Sequence, residues 1–140
     1  MKSDGTTAVP IRILIVESDR PSRESLTELF RTLRQEVTAV TNSVAALILL
    51  EADRFDLMLV SCSSTALDGF RNANLLTEAQ GLALVQFARA SDSKLKIILI
   101  GAAEQEDFNT ARGKGVIDRV MTRPFTILDL EKELAALFGR

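Results

Sequence analysis

Two groups of polar side chains close apolar runs in this chain, and their types limit the chemistry within reach. Leu57 to Val60 is a short continuous apolar run, introduced by Asp56 and followed by Ser61, Cys62, Ser63 and Ser64. A second run, Ile11 to Val16, is apolar apart from Arg12 and is followed by Glu17, Ser18 and Asp19. Such runs, without alternation, suit strands buried on both faces of a parallel sheet. Beyond the carboxyl ends of such strands is where ligands and reactions collect. An acidic residue at Ser61 could accept a phosphoryl group or hold a metal; a serine without a base does neither readily. The chain contains no histidine. That excludes Ser-His and Cys-His nucleophilic pairs, His-ligated metals and a phosphohistidine. Cys62 is the only cysteine, so no internal disulfide can form and a reducing compartment is expected.

The elements that must carry these residues follow from the rest of the chain. At 140 residues, 46% hydrophobic and 26% charged, it has the length and balance of one globular domain. Seventeen basic and nineteen acidic residues leave a net charge of −2, against the basic surplus of a nucleic-acid binder. No apolar run approaches the ~18 residues of a membrane span, and no signal-peptide pattern opens the chain. The expected location is cytoplasmic.

Residues 1–10 are small and polar and are expected to form a flexible tail; 11–140 form the domain. The pattern predicts strands over 11–16, 36–40, 57–60, 96–100 and 116–122. Between and after them it predicts helices over 22–34, 44–52, 81–90, 104–114 and 126–138. Leu26, Leu29, Phe30 and Leu33 fall at helical spacing in the first helix. Ala45 to Leu50, AALILL, makes the second unusually apolar, which predicts a wide buried face, with a partner surface as the alternative. Residues 62–79 lack periodicity and are expected to form a long loop. Five strands alternating with five helices predict an α/β fold, a doubly wound parallel sheet joined by right-handed crossovers.

RILIVESDRPSRESL, DLMLVS, KIILIGAA and VMTRPFTILDL, at these spacings over 11–138, resemble the receiver domain of two-component response regulators. The resemblance implies a flavodoxin-like sheet of order 2-1-3-4-5. It also implies an aspartate closing strand three that takes a phosphoryl group from a phosphohistidine. An acidic pair after strand one would help hold Mg²⁺. A hydroxyl after strand four and an aromatic on strand five would report the phosphate, and a lysine before a proline would contact it. This chain departs at each position. The phosphoacceptor position is Ser61, and the acidic pair is Glu17 and Ser18, with Asp19 next. The hydroxyl position is Gly101, the aromatic switch position is Val120, and Arg123 stands before Pro124. Mg²⁺ prefers charged oxygen ligands, and Ser18 and Ser61 supply none.

These departures lead to the expectation of a degenerate receiver, or pseudo-receiver. It would be non-enzymatic, without catalytic residues, metal or cofactor, and would act by binding a protein in signal transduction. Arg123 is expected to reach Glu17 or Asp19 in place of metal and phosphate. The resemblance implies a docking face, conceivably of a homodimer, on the fourth helix, fifth strand and fifth helix, Glu104 to Phe138 here. No nucleic-acid or membrane partner is expected. Two alternatives stand beside this: a small-ligand module using the strand-end cleft, and an atypical phosphoacceptor using another carboxylate such as Asp68.

Overall fold

Alternation along the strands lets one sheet serve two cores. The computed structural model describes residues 9–62, 76–101, 114–123 and 125–139. Its strands are β1 (Arg12–Val16), β2 (Glu36–Val40), β3 (Leu57–Ser61), β4 (Lys96–Gly101) and β5 (Arg119–Thr122). All neighbours pair in parallel, in the order β2-β1-β3-β4-β5, the doubly wound order that the sequence predicts. Every residue of β3 is buried, as its unbroken apolar run requires. Edge strand β2 alternates exposed and half-buried positions.

The helices are α1 (Arg20–Thr32), α2 (Ser43–Ala52), α3 (Glu78–Ser91) and α4 (Ile127–Phe138). Ile13, Ile15, Leu57, Leu59 and Ile98 point to one face, where Leu26 and Phe30 of α1 and Leu130 and Leu134 of α4 cover them. Leu14, Val16, Met58, Val60 and Leu99 point to the other, beneath Ala46 of α2 and Leu84, Val85 and Ala88 of α3.

Several boundaries differ from those predicted, each for a local reason. α1 begins at Arg20 rather than residue 22, because Asp19 caps it. The Asp19 carboxylate accepts from the Ser22 amide at 3.1 Å and the Ser22 hydroxyl at 2.8 Å, and Pro21 needs no partner in the first turn. α3 begins at Glu78 rather than Gly81, because Thr77 and Gln80 form a reciprocal capping box. Residues 78 and 79 therefore belong to the helix and not to the long loop. β5 begins at Arg119 rather than residue 116. The preceding Asp118 is committed elsewhere, its carboxylate accepting from the Ile97 amide at 2.8 Å and from Arg89 Nη2 at 2.7 Å. α2 departs most. Its buried face is partial: Ala46 is fully buried and Leu47, Leu49 and Leu50 pack half-buried against the core, while Val44 is 67% exposed and Ile48 62%. The tail over 1–8, the loop over 63–75, the helix over 104–113 and Pro124 lie outside the described residues.

Gly81 marks a close approach of α3 to the sheet. A Cβ at this position would fall inside the van der Waals envelope of Cys62 Sγ, with Val60 and Leu99 also in contact. Gly81→Ala should therefore cost about 1–3 kcal/mol, the range for overpacking. Adding Cys62→Ala should recover part of that loss, and urea unfolding of the four proteins of the cycle measures the coupling. Asp19→Ala should cost about 1 kcal/mol and Asp19→Asn much less, because asparagine also caps. The Ser22 hydroxyl and amide, then the charges of Arg23 and Arg123, hold the Asp19 carboxyl below its ordinary range. A depressed folded-state pKa gives stability that is present above the unfolded value and is lost as pH falls through the folded one. The difference between wild type and Asp19→Ala should therefore shrink on acidification below the ordinary carboxylate pKa, as chemical denaturation at stepped pH would record.

Candidate functional site

The register Val16↔Val60 brings β1 and β3 to the same sheet edge, so Glu17 and Ser61 emerge side by side. Both continue the series, Ile13-Ile15 and Leu57-Leu59, that faces α1 and α4. They are the buried polar residues among those described, Glu17 4% and Ser61 1% exposed. A carboxylate so placed needs hydrogen-bond donors. Ser61 Oγ donates to Glu17 Oε1 at 2.7 Å, and the Asp19 amide donates to Oε2 at 3.1 Å. Each carboxylate oxygen thus has its own donor.

Arg123 closes the cluster from the far side. The residue follows β5, and its Nη2 donates to Ser61 Oγ. Nη1 and Nη2 both lie 3.3 Å from the Cys62 carbonyl oxygen. The same Nη2 is 3.8 Å from Glu17 Oε1, with the arginine side chain 39% exposed and the glutamate 6%. Arg123 does approach Glu17, but mainly through Ser61, which stands between them. The planar fork is spent on a hydroxyl and a carbonyl instead of gripping the carboxylate directly.

The other positions singled out from the sequence do different work. Asp19 turns outward to cap α1 and meets Arg123 only through its charge. Ser18 Oγ accepts from the Leu76 amide at 3.0 Å, across 58 residues of sequence. Gly101 ends β4 opposite Thr122. Val120 pairs with Leu99 and packs against the core beneath α2 and α3. Cys62 is 1% exposed, and its carbonyl, not its thiol, is what Arg123 meets. Asp68 lies outside the described residues. The structure thus gathers Glu17, Ser61 and Arg123 into one hydrogen-bonded cluster and leaves Ser18, Asp19, Gly101 and Val120 around it.

Arg23, which the sequence offers only as one of the basic residues Arg20, Arg23, Arg31 and Arg34 on a solvated face of the first helix, belongs to this edge. Its Nη1 donates to the carbonyls of Glu17 at 3.0 Å and Ser18 at 3.3 Å, tying the first turn of α1 to the strand end. A basic residue one turn past a capping aspartate was the available signal. Chemically, the cluster is self-satisfied. Its one hydroxyl donates to the Glu17 carboxylate, the base within reach, whose oxygens are both engaged, and accepts from the Arg123 guanidinium, so both sides of Ser61 Oγ are occupied within the cluster. Among the described residues, no three Cys, His, Asp or Glu side chains come close enough to hold a metal ion.

No protein-family profile matches the chain, and no curated protein does. Solved structures do. The signal receiver domain of an HD domain-containing protein from Pseudomonas fluorescens Pf-5 superimposes with a TM-score of 0.76 at 19% identity, covering 94% of this chain and 96% of that one. A CheY-like response regulator receiver domain protein from Methanospirillum hungatei JF-1 gives 0.75 at 20% identity, with 94% and 96% covered. The response regulator TrrA from Thermotoga maritima, solved with Mg²⁺ and BeF, gives 0.69 at 21% identity, with 91% and 99% covered. At these identities the likeness speaks for the fold, and the chain has the fold of a CheY-like receiver domain, five parallel strands ordered 2-1-3-4-5.

Proposed function

We propose that this chain is a pseudo-receiver, a non-enzymatic protein-interaction module of bacterial-type two-component signalling that works without phosphorylation. The observation that carries the proposal is the Glu17–Ser61–Arg123 cluster. Where the receiver resemblance puts an acceptor carboxylate, Ser61 donates to Glu17 and accepts from Arg123. A phosphoryl donor would have to meet a buried hydroxyl whose hydrogen is held by Glu17 and whose oxygen is held by Arg123. A magnesium ion would find Glu17 already holding two donors and Ser18 turned to the Leu76 amide.

The partner surface in this proposal is the face within residues 104–138, of which 114–123 and 125–138 are described. Arg119 Nε pairs with Glu133 Oε1 at 2.5 Å across that face. Leu128 stands 63% exposed on α4, one turn before Glu131 and Lys132. An apolar side chain flanked by charges of both signs suits a protein partner, with the charges setting orientation more than affinity.

Incubation with acetyl phosphate and Mg²⁺, followed by intact-mass measurement, should leave the wild-type mass unchanged. A gain of one phosphoryl group, at Asp68 or elsewhere, would overturn the proposal. The cluster itself should behave as a structural clamp. Ser61→Ala should cost about 1–3 kcal/mol, because it leaves the buried Glu17 carboxylate and Arg123 each short of a partner. Arg123→Met should cost less, about 1 kcal/mol, since that side chain is partly solvated. Urea midpoints with unchanged m-values would register both.

A further inference from the structure

We infer that the face formed by α2 and α3 docks a second copy of this chain about a two-fold axis. This is independent of the proposed function and of the 104–138 face.

The inference starts from α2. From Ser43 to Leu50 the helix carries no charge, yet it lies on the surface with only Ala46 fully buried. A helix that is apolar all round is ordinarily covered on more than one side. The uncovered side is organised. Val44 and Ile48, one turn apart, are 67% and 62% exposed and form a ridge. Beside the ridge runs a groove of about 780 Å³ between α2 and α3, floored by Leu47, Leu84 and Ala83 and walled by Phe87, itself 47% exposed. A ridge next to a groove on one face is the self-complementary shape that an isologous contact needs. Each copy can lay its Ile48 ridge into the groove of the other.

Charge selects the direction. Arg23 is the one charged residue lining the groove, at the end near Asn42 and Ser43 where α2 begins. Glu51 follows Val44 by seven residues, which returns it to the exposed stripe at the far end of α2. It has no ion pair among the described residues. With the two α2 helices antiparallel, Arg23 of each copy faces Glu51 of the other. With the helices parallel, like ends would meet. The apolar patch is small beside the ~800 Å² per partner of a standard interface, so affinity on the order of tens of micromolar is expected.

Sedimentation equilibrium of the full chain from about 1 to about 500 μM brackets that affinity and should show a reversible monomer–dimer equilibrium. Ile48→Glu changes an exposed side chain and should weaken association at least ~10-fold without shifting the thermal midpoint of the monomer. Glu51→Arg is the second variant, and its readout does not depend on how Ile48→Glu folds. Added salt should weaken the wild-type dimer but strengthen that of Glu51→Arg, since salt then screens a repulsion with Arg23. A chain that stays monomeric throughout, or a dimer indifferent to Ile48→Glu, would overturn the inference. A Glu51→Arg dimer with the wild-type salt trend would overturn the antiparallel pairing.

Discussion

A carboxylate that is 4% exposed sets the terms for the whole carboxyl edge of this sheet. Leaving Glu17 charged and unpartnered there would cost several kcal/mol. Its donors come from separate parts of the chain. Ser61 arrives at the end of β3, the Asp19 amide in the turn into α1, and the Arg123 guanidinium from the segment after β5. Ser61 and the Asp19 amide supply the two hydrogen bonds, and Arg123 adds a positive charge 3.8 Å away. Arg23 then fixes the backbone that carries the carboxylate, through the carbonyls of Glu17 and Ser18. The edge is thus held together by side-chain polar satisfaction, while the strands behind it are held by burial and their backbone ladders.

This has a bearing on how a domain of this fold would be switched. A two-state element responds only to a ligand that interacts differently with its two states. A phosphoryl group on an exposed carboxylate would supply such a difference by recruiting a nearby cation. Here Arg123 already contacts the residue that would have been modified and the carbonyl after it. On the proposed reading the cation is drawn inward at all times, and any change of state must come from a partner's preference among surfaces.

How much of this could be read from the residues depended on the range of the interaction. The strands were legible because unbroken apolar runs such as LMLV and KIILI admit few other solutions in a chain of this length. The Thr77–Gln80 capping box was also present, as TEAQ, but the helical pattern of GLALVQFARA drew the predicted start downstream to Gly81. The approach of Arg123 to Glu17 was legible in kind, from opposite charges at neighbouring strand ends. That Ser61 would stand between them was not, because it depends on side-chain geometry at the edge. The bond from the Leu76 amide to Ser18 joins residues 58 apart and leaves no mark in local pattern. For α2 the buried face was legible only in part. Its composition predicted burial, whereas the fold supplies a neighbour on only part of its circumference.

Ser18 connects the two regions. At the strand edge it stands where a second carboxylate would help gather a metal; instead its hydroxyl holds the Leu76 amide, one residue before the cap of α3. Leu76 is 4% exposed, and it lines the α2–α3 groove together with Ser18 itself. A carboxylate could accept the same bond, but it would bring a charge to the groove wall beside Arg23 and a longer side chain between β1 and α3. The short neutral hydroxyl sets the entry of α3 close against the edge. Ser18 thus belongs both to the polar strand edge and to the wall of the α2–α3 groove, so the two regions share one small side chain.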